Sequence, residues 1–177
     1  MEPVPERLSW AVRTLAIEPA DEVLEIGCGG GVAVALICPA LVTGRITAID
    51  RSATQTARAE RRNAGPLAAG RAVVRTADLE TADFGGERFD KIFAVNVNLF
   101  WVRDPAAELR LLSGILKPGG ALFLFYEPPS SAQAARLTAD LDRTLQRHGF
   151  ATSVLTARTS ASASLLCVRG ALAGQTG

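Results

Sequence analysis

The chain has 177 residues, 48% of them hydrophobic and 21% charged, which fills one well-buried domain and is short for two. Its net charge of +1 excludes a general electrostatic attraction to nucleic acid or to anionic membrane. No apolar run reaches the ~18 residues of a membrane span, and the N-terminal MEPVPERLSW has no basic segment leading into an apolar core.

The elements follow in alternation. PERLSWAVRTLAI carries Leu8, Val12 and Leu15 at helical spacing. DEVLEIG is a short buried strand, and GVAVALIC a helix ended by Pro39. GRITAID is a second strand. Ser52 then opens a helix with Gln55 three residues on, a capping-box pattern, and Gly65-Pro66 is expected to end it. Arg58, Arg61 and Arg62 around Glu60 read as a solvated face of that helix.

RAVVRTAD and RFDKIFAVN are the third and fourth strands. Asp104-Pro105 predicts an N-cap followed by proline at the first helical position, opening a helix to about Leu116 that stops at KPGG. ALFLFYE is the fifth strand. Ser130 and Gln133 predict another capping box, for a helix that ends near His148-Gly149, where His148 faces the helix dipole. FATSVLTARTSASASLLCVRG reads as two strands joined without a helix, hence antiparallel to each other. The single domain is expected over 1–170, with 171–177 a flexible tail.

This alternation predicts an α/β doubly wound three-layer sandwich around a seven-stranded, mostly parallel sheet with an antiparallel C-terminal strand. A ligand should sit at the carboxyl ends of the strands, where strand order reverses. Three cysteines, Cys28, Cys38 and Cys167, form neither a CxxC pair nor a zinc spacing; with one histidine they argue against a metal and predict reduced thiols in the cytoplasm.

The stretch VLEIGCGGGVAVAL places four glycines in five positions after the first strand. Such a loop lets a ligand approach the backbone, but alone it does not separate a dinucleotide from another adenosine compound. No Lys-Ser or Lys-Thr follows, so it is not a phosphate loop of the GxxxxGK[ST] kind. Glu25, two residues before Gly27, would repel a pyrophosphate and attract a ligand carrying ammonium and sulfonium groups. Asp50, 19 residues beyond Gly31, ends strand two, where a carboxylate can accept both ribose hydroxyls. Asp78 ends strand three and can accept a hydrogen bond from an adenine amino group, with Asp83 a competitor for that role.

Taken in order, Glu25, Gly27, Gly29 and Gly31, then Asp50, Asp78-Leu79, FDKIFAVN and LLSGILKPGGALFLF, the sequence resembles the class I S-adenosylmethionine-dependent methyltransferases from about Val23 to Val168. It looks most like their small, stand-alone members, with a Rossmann-like fold. The resemblance implies S-adenosylmethionine as cofactor, S-adenosylhomocysteine as product and no metal. It implies that the backbone of Gly27, Cys28, Gly29 and Gly31 meets the methionine part of the cofactor and that Glu25 orients its amino group. Asp50 would hold the ribose, Arg51 would lie along the adenine, Asp78 and the Leu79 amide would bind it, and Val95 and Asn96 would contact the methionine amino group.

The acceptor-side candidates follow strands four and five. They are Asn98, Trp101, Tyr126 and Glu127, with Phe100 beside them; Glu127, Asn96 and Tyr126 are also candidates for catalysis. The loop NVNLFW is not the Asn/Asp-Pro-Pro-aromatic motif of nucleic-acid amino methylation, which argues against a DNA or RNA substrate. Few residues separate strand five from its helix. The site therefore has little built-in cover, which fits a large substrate, a homodimer, or a lid made from the first helix with Ser9, Trp10 and Arg13 facing the pocket. The expected activity is methyl transfer to O or N of a small molecule. A binding protein without turnover and a nicotinamide-dependent oxidoreductase are the alternatives.

Overall fold

In a computed structural model describing residues 3–172, the strands are β1 (Glu22–Ile26), β2 (Arg45–Asp50), β3 (Ala72–Thr76), β4 (Phe89–Val95), β5 (Leu116–Tyr126), β6 (Phe150–Arg158) and β7 (Ser164–Leu172). They form one sheet in the order β3-β2-β1-β4-β5-β7-β6. Every pairing is parallel except those of β7, which runs antiparallel to both β5 and β6. Strand order reverses between β1 and β4, so the carboxyl ends of these two strands open the crevice where a ligand site is expected.

The central strands read as near-continuous apolar runs because both sheet faces are covered. Helices α1 (Glu6–Leu15), α2 (Val32–Ile37), α3 (Ala53–Arg62) and α4 (Ala64–Ala68) lie on one face. There Ala11, Leu15, Ala33, Val34, Ile37 and Ala59 pack on Val23, Ala48, Phe93, Phe123 and Phe125. Helices α5 (Leu99–Val102), α6 (Ala106–Ile115) and α7 (Ser131–Arg147) lie on the other. Phe100, Leu109, Leu112, Leu141 and Leu145 pack there on Leu24, Ile26, Ile92, Leu122 and Leu124.

Both predicted serine caps form: Ser52 Oγ accepts from the Gln55 amide and Ser130 Oγ from the Gln133 amide. Three expectations need correction. Gly65-Pro66 does not stop the helical region; both residues lie inside α4, where Pro66 sits in the first turn and its missing N–H costs nothing. Asp104 does not cap α6; Pro105 holds the N-cap position, and Asp104 faces His148 Nε2 at 3.7 Å. Ala171 and Leu172, expected in the tail, belong to strand β7, and the rest of the expected tail, 173–177, lies outside the described residues.

The first helix is a member of the sheet-covering layer. Trp10 stands edge-on to Phe125 with ring centroids 5.5 Å apart, and Ala11 and Leu15 are buried. Its C-terminal end is fixed at the foot of the sheet, where Lys91 Nζ donates to the Ala16 carbonyl and to Asp21. Cys28, Cys38 and Cys167 are buried free thiols. Among the described residues no helix is long and apolar enough to cross a membrane, and no group of three or more His, Cys, Asp or Glu side chains could hold a metal.

Candidate active site

The glycine loop joins β1 to α2 and is shaped by backbone bonds to its neighbours. The amides of Gly27 and Cys28 both donate to the Ile49 carbonyl, at 2.8 and 3.0 Å, which ties the loop to the end of β2. Two positions require glycine. Gly27 has φ of +72°, and a Cβ there would stand 2.7 Å from Val97 Cγ2. Gly31 also has φ of +72°, and its Cβ would fall 2.6 Å from Asn63 Nδ2 and 2.7 Å from Ala59 Cβ.

Helix α3 holds the far side of the loop, through residues the sequence reading did not single out for the site. Asn63, buried, donates from Nδ2 to the carbonyls of Gly31 (2.9 Å) and Ala59 (2.8 Å). Arg62 donates from Nε to the Gly30 carbonyl at 2.9 Å, so this arginine fastens the loop rather than only facing solvent. The sequence signal was present as an Asn and an Arg one helix after the glycines, but their pairing across 32 residues is a tertiary fact.

Asp50 sits at the hinge of loop and strand. Its Oδ2 accepts from the Gly29 amide and its Oδ1 from the Ser52 amide, both at 2.9 Å. Each oxygen keeps a second lone pair. Asp50 lines a cavity of about 510 Å³ at the carboxyl ends of the strands, with Gly27, Arg51, Asp78, Leu79, Val95, Asn96 and Asn98. Asp83 instead caps its own turn, accepting from the Gly85 amide at 2.8 Å. Leu99, Val102, Glu80 and Arg103 complete the front of the cavity and were not among the expected residues.

Glu25 lies beneath the loop, not on the cavity wall. It is buried, and its Oε2 has no hydrogen-bond partner in the protein. Burial first, and the charge of Asp50 second, push its carboxyl up to about 8. Burial with the same two carboxylates raises the Cys28 thiol to about 12, so Cys28 is an inert packing residue under the loop.

The acceptor-side candidates are partly separated. Asn96 has φ of +55°, its amide donates to the Phe125 carbonyl, and its Oδ1 accepts from the Glu127 amide at 2.9 Å. Its carboxamide nitrogen is therefore the end left for a ligand. Tyr126 does not reach the cavity: it is buried, its hydroxyl donates to the Val97 carbonyl at 2.6 Å, and burial holds it well above the usual phenol range. Glu127 pairs with Arg7 Nη1 at 3.2 Å, outside the lining residues. Trp101 lines a separate groove with Arg143 and Arg147. Trp10 packs on Phe125, and Arg13 is exposed on the outer side of α1; neither lines the cavity.

A sequence model of the methyltransferase domain family matches residues 23–120, more than half of the chain. No curated protein sequence matches. Among solved structures, the N-methyltransferase NodS from Bradyrhizobium japonicum WM9, in complex with S-adenosylhomocysteine, aligns with a TM-score of 0.72 and 22% identity over 93% of this chain and 85% of that one. Magnesium protoporphyrin IX methyltransferase from Synechocystis PCC 6803, with bound S-adenosylmethionine, gives 0.69 and 19% over 93% and 78%. The [4+2]-cyclase SpnF gives 0.74 and 15% over 94% and 81%. At such identities the structures speak for the fold alone, a Rossmann-like methyltransferase fold. With the matched glycine loop, strand ends and sheet order in one chain, the protein belongs to the methyltransferase domain family, as an S-adenosylmethionine-dependent methyltransferase.

Proposed function

We propose that the cavity at the strand ends binds S-adenosylmethionine and that the protein transfers its methyl group to O or N of a small molecule. The observation that carries this reading is Glu25: a buried carboxyl group with an unpartnered oxygen in β1, two residues before the glycine loop. Burial keeps this carboxyl protonated without a ligand; a nearby ammonium would favour its charged form, whereas a pyrophosphate would be repelled by that form, which disfavours a nicotinamide cofactor. The rest of the donor set fits the same compound. Asp50 has lone pairs for the ribose hydroxyls, Asp78 and the Leu79 amide stand where an adenine edge can be read, and Arg51 can lie along its face.

When bound, the cofactor supplies a methyl group that is already electrophilic, on a sulfonium. The residues then need only hold an acceptor lone pair in line and exclude competing water. Gly27, the one loop glycine on the cavity wall, lets the backbone come close, and Asn96 offers its amide nitrogen to an acceptor atom. Leu99 and Val102 give the acceptor an apolar surface beside it. Tyr126 keeps its proton and fixes the Val97 carbonyl, so it is a scaffold residue and not a base. The partner is a small-molecule acceptor, with a homodimer as one way to cover the open front, in the cytoplasm.

The second reading is a protein that binds the cofactor without methyl transfer, since one fold hosts different functions. Calorimetric titration with S-adenosylmethionine, S-adenosylhomocysteine and NAD tests the binding. Micromolar affinity for the first two and none for NAD is expected. Asp50→Ala should weaken S-adenosylhomocysteine binding by about 1–3 kcal/mol. No binding of either sulfur compound would overturn the reading, and formation of S-adenosylhomocysteine with acceptor libraries separates transfer from binding alone.

A further inference from the structure

Glu108 lies in the first turn of α6 and is 1% exposed, surrounded by the apolar layer of Phe100, Leu109 and Leu112. A carboxylate in that place needs a partner. Its Oε1 accepts from Arg103 Nη2 at 2.5 Å, and its Oε2 has no partner. The same Arg103 nitrogen donates to Glu80 Oε1. Glu80 and Arg103 both line the ligand cavity, Glu80 from the connection after β3 and Arg103 from the end of α5. The ion pair therefore crosses from one wall to the other, on the side built by Asp78 and Leu79. Phe100 anchors the segment that carries Arg103 in the core, while Trp101 and Val102, next to the arginine, are exposed.

We propose that Glu108 is a positioning residue that, through Arg103, sets a Glu80–Arg103 strap across the cavity, and that this strap opens for the cofactor to enter and leave. The two halves of the bridge are unequal. Glu80 and Arg103 side chains are 54% and 44% exposed, a pairing that water and salt readily compete for. Glu108 is buried, so separating it from Arg103 leaves a stranded charge. The strap accordingly opens at its Glu80 end while Arg103 stays on its anchor.

The inference rests on S-adenosylmethionine occupying this cavity, and stopped-flow binding of S-adenosylhomocysteine to the whole protein tests the two separately. Glu80→Gln should raise both the association and the dissociation rate, each by roughly threefold. Dissociation from the wild type should quicken as salt rises, and dissociation from Glu80→Gln should not, because the ligand is a net-neutral zwitterion and only the strap is screened. Glu108→Gln should speed dissociation in the wild-type background and add nothing in the Glu80→Gln background, a dependence that general destabilisation would not show. Arg103→Gln replaces it in the cycle if the Glu108 variant does not fold. Wild-type rates in Glu80→Gln, faster dissociation without faster association, or additive effects in the cycle would each overturn the strap. A wild type that binds no S-adenosylhomocysteine would overturn the cavity assignment and the strap with it.

Discussion

Glu25→Gln isolates the cost of the buried carboxylate. The folded protein titrates Glu25 near 8, against an ordinary 4.5 in the unfolded chain. Between those values the native state holds one proton more than the unfolded state. Stability contributed by this group is therefore fully present below about 4.5, falls as pH rises through the window, and is flat above about 8. At 1.36 kcal/mol per unit the whole fall is about 5 kcal/mol, an upper bound because the site can relax around the charge. Glutamine removes the titration and keeps the shape. Its amide carries its own desolvation cost of about 1–3 kcal/mol, but that cost does not vary with pH. The informative quantity is thus the difference between variant and wild type at pH 8.5 minus that at pH 5, which should favour the variant by several kcal/mol. Urea unfolding of the ligand-free proteins across this range measures it. In the wild type, S-adenosylhomocysteine should also bind more tightly as pH rises toward 8, with release of a proton, since its ammonium calls for the charged form. Parallel stability curves for the two proteins would refute the reasoning: the carboxyl would then be solvated or paired, and the argument for an ammonium beside it would lose its basis.

Gly31→Ala should lower stability by about 1–3 kcal/mol and weaken cofactor binding together, because its Cβ meets the backbone and side chain of Ala59 and the Asn63 amide. A thermal melt paired with an S-adenosylhomocysteine titration checks both, and an unchanged melting temperature would mean that loop and helix separate freely. Tyr126→Phe should cost about 1–2 kcal/mol, the loss of a buried hydrogen bond that leaves the Val97 carbonyl unpaired. With an acceptor in hand, its pH profile of methyl transfer should match that of the wild type. A shifted profile would return Tyr126 to the list of acid–base candidates.

The local pattern carried most of the fold. Alternating apolar runs and punctuating glycines gave all seven strands, and two serines three residues before a glutamine gave two helix starts that form as read. The failures share a cause. Asp104-Pro105 and Gly65-Pro66 have the composition of boundaries, but where a proline sits relative to a first turn depends on how the preceding chain arrives, and tertiary packing decides that. The cavity shows the same division. Gly27, Asp50, Asp78 and Asn96 were legible because each stands at a strand end, a place that periodicity locates. Tyr126 stands at a strand end as well, yet its side chain turns into the core toward Val97, and one residue of register decides between wall and interior.

The acceptor side was the least legible, for a physical reason. On the proposed function, cofactor recognition falls to backbone and strand termini, which the fold fixes. The wall that the proposed function gives to the acceptor follows β4, with Asn98, Leu99 and Val102, and Glu80 and Arg103 reach the same cavity from separate connections. Nothing in their spacing says that Glu80 will meet Arg103, or that Glu108 will hold it from behind. The neighbouring structures make the same point at the scale of the fold. A protein described as an N-methyltransferase and one described as a cyclase lie at TM-scores of 0.72 and 0.74 to this chain. One fold thus accompanies different chemistries, so the fold alone does not name the reaction. The acceptor of this protein should be sought by varying Asn96, Asn98, Leu99 and Val102 against candidate compounds, since these residues line the cavity and lie outside the glycine loop.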